Sequence, residues 1–128
     1  MRRIVLALVA VHAAVLAAHE IAHRTLGVEL AQWQSVFAYT VIVAAPILAA
    51  IAIYVRSARS GYAVLALAML GSFLFTTFFH YVHVSPDHVS HLPSGDPNLF
   101  RLTSALLAII ELMSVVAAGV ALTRGSGR

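Results

Sequence analysis

An all-α fold, a four-helix transmembrane bundle with antiparallel helices and both termini cytoplasmic, follows from three observations. Four apolar runs, at 3–23, 35–55, 62–83 and 99–122, are each roughly 20 residues long, enough to cross a bilayer core of about 30 Å. Of the 128 residues 61% are hydrophobic and 10% charged, with a mean hydropathy of +0.92. A soluble domain of this length has no interior large enough to hide that much apolar surface. Arginine is also unevenly placed. Arg2, Arg3, Arg56, Arg59, Arg124 and Arg128 fall on one side of the alternating segments, against Arg24 and Arg101 on the other. The richer side is cytoplasmic by the positive-inside rule.

The first segment, 3–23, follows Arg2-Arg3, and its small residues near Ala17-Ala18 also suit cleavage of a signal peptide. Its histidines match others farther along, so it reads as a retained transmembrane helix. Ala10, Ala14, Ala18 and Ala22 form a small-residue stripe suited to a close neighbour. Residues 24–34 form a connection. The second segment, 35–55, carries no ionisable group apart from its tyrosines, and Pro46 should kink it. Trp33 and Tyr39 mark one membrane interface and Tyr54 the other.

A basic turn at 56–61 leads to the third segment, 62–83, which ends in the aromatic run Phe73, Phe75, Phe78, Phe79 and Tyr81. A polar outer loop, 84–98, follows. Asp96-Pro97 starts the fourth segment as N-cap and first helical position. Ser104, Ala108, Glu111, Ser114 and Ala118 give that segment one small, polar side. No linker divides the chain, so 1–128 is a single integral-membrane domain, expected in a bacterial or archaeal plasma membrane.

The seven histidines carry the chemistry. His12, His19 and His23 are spaced by seven and four residues and share one side of a helix. In a membrane that side must face protein, water or a metal. His80/His83 and His88/His91 are i,i+3 pairs, each able to point two ligands one way. Measured along each helix from its cytoplasmic start, His19 and His23 lie roughly 24–30 Å up and His80 and His83 roughly 28–33 Å up. Six imidazoles therefore reach one level near the outer face. The expected ligands are His19, His23, His80, His83, His88 and His91, with Asp87 orienting a ring from behind. His12 lies deeper, at the depth of Glu111, and the two form an intramembrane polar pair. With no cysteine in the chain, thiolate sites and disulfides are excluded.

Imidazole nitrogen suits Zn, Fe and Cu alike, so the expected cofactor is a divalent transition metal of open identity. Haem held by histidines of the first and third helices is the alternative, and interfacial histidines bonded to water, lipid or carbonyls are the metal-free one. His19-Glu20-Ile21-Ala22-His23 spells H-E-x-x-H and resembles the motif of intramembrane site-2 metalloproteases. That resemblance implies Zn²⁺ on His19 and His23 and Glu20 as acid/base. It covers five residues, and no Leu-Asp-Gly segment follows. The histidine pairs also look like a reduced version of the clusters in integral-membrane fatty-acid hydroxylases and desaturases, without their adjacent His-His pairs. Three function classes stay open: a metal-dependent membrane hydrolase or oxidase, a b-type haem electron-transfer protein, and a non-catalytic subunit of a larger membrane complex or homo-oligomer. No nucleic-acid module is present; the bilayer is the first partner.

Overall fold

A computed structural model describes residues 1–55, 58–93 and 95–125. Arg56 and Arg128, two of the arginines counted toward the expected cytoplasmic side, and Ser94 of the loop 84–98 lie outside the described residues. The described residues are helical, without strands, and four helices are long and apolar enough to cross a membrane: α1 (Arg2–Leu26), α2 (Gln32–Val55), α3 (Ala58–Val82) and α4 (Asn98–Gly125).

Local chemistry sets the ends. Helix α1 runs past residue 23 and closes at Gly27, whose left-handed backbone (φ 65°) lets its N–H reach the His23 and Arg24 carbonyls. Helix α2 is a π-helix from Ala38 to Ala44, where the Ala45 N–H returns five residues to the Thr40 carbonyl. Pro46, next in line, has no N–H to offer the Ile42 carbonyl, so the kink expected at proline takes the form of a widened turn before it. Helix α3 also finishes as a π-helix, Phe78–Val82, with His83 already extended.

Packing follows the small and polar faces. Helix α1 lies against α4, α4 against α3 and α3 against α2, whereas α1 and α2 scarcely touch. Ser104, Glu111, Ser114 and Ala118 of α4 are buried. The alanine stripe of α1 behaves differently: Ala10 and Ala14 are exposed, because α1 turns Val5, Val9, His12 and His19 inward. At the end away from the histidines the four helices share a core of Val5, Val9, Ala49, Ile53, Leu65, Met69 and Ala118. Gly61 permits the closest approach: a Cβ there would lie 2.9 Å from both the Ala49 carbonyl oxygen and the Ile53 nitrogen. At the other end, Phe37 stacks on Phe75 (centroids 4.9 Å) and Trp33 meets Phe79 (5.6 Å), pinning α2 to α3.

Candidate metal centre

Four side chains from three separate segments meet at the loop end of the bundle. His19 and His23 project from the same side of α1, His80 comes from the π-turn of α3, and Asp87 from the loop beyond it; all four are buried. One ligating atom of each of His19, His23 and His80 lies within 4.8 Å of the others. The Nε2 atoms of His19 and His80 are 2.9 Å apart. Asp87 Oδ1 lies 3.2 Å from His23 Nε2 and 3.8 Å from His80 Nε2.

What the outer nitrogens do fixes which atoms face inward. His80 Nδ1 is 3.0 Å from the Thr76 carbonyl and His23 Nδ1 is 3.3 Å from the Val28 carbonyl. A carbonyl only accepts, so both Nδ1 atoms carry the proton. His19 Nδ1 is 2.8 Å from Thr103 Oγ1. That hydroxyl gives its own hydrogen to the Leu99 carbonyl at 2.7 Å, so it accepts from His19. In each neutral ring the inward Nε2 is then a bare lone pair. Asp87 adds a carboxylate that is close to His23 but out of line for a hydrogen bond, and among the described residues neither of its oxygens has an aligned donor. Four acceptors thus converge with no hydrogen among them, an arrangement that costs energy in a buried site unless a cation lies between them.

The surroundings hold this geometry. Phe100 is fully buried, stacks on His80 at 5.3 Å and lies 4.7 and 4.9 Å from the rings of His19 and His23. The Val89 N–H donates to the His80 carbonyl and Arg101 Nε–H to the Val89 carbonyl, tying the Asp87 loop to α3 and α4.

The other histidines stand outside this group. His83 is exposed, and its ring stacks on Phe78 at 5.4 Å. Three residues do not complete a turn of a π-helix, and the chain leaves the helix at His83, so it does not share the side of His80. His88 and His91 sit 3.2 Å apart through their Nδ1 atoms, in turns of the loop after α3, and bond each other. Glu20 receives Arg24 Nε–H at 2.8 Å, and its side chain is 45% exposed. Deeper in the bundle, His12 Nε2–H and the Thr76 hydroxyl both point at Glu111 Oε1, at 3.4 and 3.3 Å. Thr76, Thr103 and Phe100 were not singled out from the sequence. Thr103 lies eight residues before Glu111 and so on its side of α4, which is the signal that could have marked it.

Beside the cluster lies a small cavity of about 60 Å³ bordered by His19, His23, His80 and Asp87. A larger cleft of about 390 Å³ separates α1 from α2. No protein-family model, curated protein or solved structure matches the chain. The fold and site define a four-helix protein apolar enough to lie in a membrane, with a buried histidine cluster placed to hold a metal ion.

Proposed function

We propose that the protein is a small integral-membrane metalloprotein whose ion is held by His19, His23, His80 and Asp87. The bundle is antiparallel with both termini cytoplasmic, which puts the centre just beneath the outer surface. The observation that carries this reading is the convergence of three Nε2 lone pairs and a carboxylate oxygen, each Nδ1–H being committed elsewhere. An added proton would satisfy one of these contacts and leave the other two acceptors facing each other. A divalent cation satisfies all four. Metal–nitrogen bonds of 2.0–2.1 Å in a tetrahedron place ligand atoms about 3.3 Å apart; the separations here are 2.9, 3.2 and 3.8 Å, and the three histidine atoms fall within 4.8 Å, so the wider pairs would draw together around an ion. Outer imidazole nitrogens donating to carbonyls or a hydroxyl are the usual support of such ligands.

The nitrogen and oxygen donors suit Zn²⁺, Fe²⁺ and Cu²⁺ and do not choose among them. When bound, such an ion supplies Lewis-acid polarisation of an oxygen ligand. The haem reading has less support. Two axial nitrogens on one iron stand roughly 4 Å apart, twice a metal–nitrogen bond of about 2.0 Å. The 2.9 Å between His19 and His80 leaves no slot for a macrocycle. The site-2-protease reading is weakened by Glu20, whose carboxylate is engaged with Arg24. His83, His88 and His91 are left out of the ligand set.

Elemental analysis of the purified protein tests the assignment. One equivalent of metal is expected, lost in His80→Ala and sharply reduced in Asp87→Asn, and unchanged when His83, His88 and His91 are all replaced by Ala. Full metal content in His80→Ala, or loss in the triple variant, overturns it.

A further inference from the structure

The cleft between α1 and α2 has an occupant written into its shape. Its floor is made of buried apolar side chains, among them Val9, Ile42 and Pro46. Its rims are exposed: Ala13 and Ala17 on α1, Tyr39 (63% exposed) and Ile47 (45%) on α2. From Val9 to Arg24 it runs about 22 Å along α1, at 1.5 Å per residue. The deep end is lined by apolar residues and by His12, whose ring nitrogen is turned to Glu111. Polar groups gather at the other, where Glu20, His23, Arg24 and Ser35 line it.

The cleft is built in. The π-turn at Ala38–Ala44 widens α2 where Ala38, Tyr39, Ile42 and Val43 form its wall, and the Trp33/Phe37/Phe75/Phe79 cluster holds α2 on α3, away from α1. At the polar end it adjoins the small cavity of the histidine cluster: Leu16, Glu20, His23 and Ile42 line both.

We infer that this cleft is a binding site for an acyl chain of a membrane phospholipid, with the chain on the Val9–Ile42–Pro46 floor and the ester carbonyl toward Glu20, His23 and Arg24. In a helix set that spans the bilayer, the medium flanking the cleft is itself acyl chain. The apolar-deep, polar-outward order repeats that of a lipid in one leaflet. A volume of about 390 Å³ falls within the range of small-molecule sites, about 300–1,000 Å³. Resting on the membrane placement proposed above, this sets an acyl ester next to the histidine cluster, as a neighbour of the four-ligand site and not a ligand in it.

The test uses full-length protein loaded with Zn²⁺, in nanodiscs of dioleoylphosphatidylcholine doped with a phosphatidylcholine bearing a diazirine at the end of one acyl chain. After illumination, labelled residues are read by mass spectrometry. Lipid lining the outside of any membrane protein labels Leu67 and Leu102, which are 71% and 59% exposed. Only a chain inside the cleft reaches Val9 and Ile42, which are 7% and 6% exposed. Labelling of Val9 and Ile42 at least as strong as that of Leu67 is expected. Ala17→Trp, which fills the cleft, should reduce it more than fivefold while Leu67 labelling and bound Zn²⁺ persist. Should that variant fail to fold, Tyr39→Ala, which opens the rim, should raise floor labelling instead. Floor residues labelled at background beside a labelled Leu67 overturn the inference. Floor labelling in protein that binds none of Zn²⁺, Fe²⁺ and Cu²⁺ overturns the metal assignment and leaves the lipid site standing.

Discussion

Replacing Thr103 by Val keeps every proposed ligand and the shape of the residue, and removes one acceptor. In the native protein Thr103 Oγ1 receives His19 Nδ1–H at 2.8 Å, in a site where both residues are buried. With the hydroxyl gone, the imidazole has two choices. It can keep the proton on Nδ1, unsatisfied, at a cost of about 1–3 kcal/mol. Alternatively it moves the proton to Nε2, where it bonds to the bare His80 Nε2 only 2.9 Å away. The second choice stabilises the metal-free protein and must be undone before an ion can bind. A bound ion forces the first choice, so when the free protein takes the second the penalty falls on the metal-bound state, and 1–3 kcal/mol corresponds to about a 5- to 150-fold loss of affinity. That range overlaps the 10- to 100-fold typical of groups supporting a metal-bound histidine. Competition with a chromophoric chelator, in detergent at fixed pH, measures it. Thr103→Ser restores the acceptor and should bind within a few-fold of the native protein. Native-like affinity in Thr103→Val would refute the tautomer argument, and with it the claim that three lone pairs face inward.

Glu111→Leu leaves His12 and the Thr76 hydroxyl without their partner, and thermal unfolding in detergent should show a loss of about 0.6–1.7 kcal/mol, the range for polar contacts between membrane helices. Glu111→Gln, which keeps an acceptor, should lose less than half of that. Gly61→Leu drives a side chain into the backbone of α2, and overpacking of this kind costs about 1–3 kcal/mol or more. Its expected result is a lowered melting temperature, with metal still bound in the fraction that stays folded; an unchanged melting temperature would mean that α2 does not pack there.

Much of the fold is legible in the residues. Apolar length alone marks four helices long and apolar enough to span a membrane, because backbone groups in lipid leave little alternative to a helix. The i,i+4 spacing places His19 and His23 together, and counting rise per residue brings His80 to their level. Expectation and structure part where the helical period breaks. Helical spacing pairs His83 with His80, and a π-turn at Phe78–Val82 removes that spacing. His88 and His91 share the loop with Asp87, but nothing in a loop sequence says which side chain turns inward; Asp87 does. Its place beside His23 and His80, nearer than the supporting position expected for it, depends on a tether from Arg101 to Val89 that has no local signature. Thr76 and Thr103 were hidden because threonine in a membrane helix usually bonds its own backbone. Both sit on buried faces that only the packing of α1, α3 and α4 defines.

The seam between α1 and α4 also bears on how the molecule is made. Helix α1 has its main partner at the far end of the chain, while its sequence neighbour α2 settles on α3. On the proposed membrane placement, α2 and α3 can join early as the polypeptide enters the bilayer, but His12 and His19 wait for Glu111 and Thr103, roughly 90 residues of synthesis later at about 5–20 residues per second. Until then α1 is held in the lipid chiefly by its apolar surface, and its polar side chains are open to whatever insertion machinery or ion reaches them first. Capture of a metal by three distant segments would therefore coincide with the last step of assembly, and a truncated or stalled chain should emerge from the membrane without one.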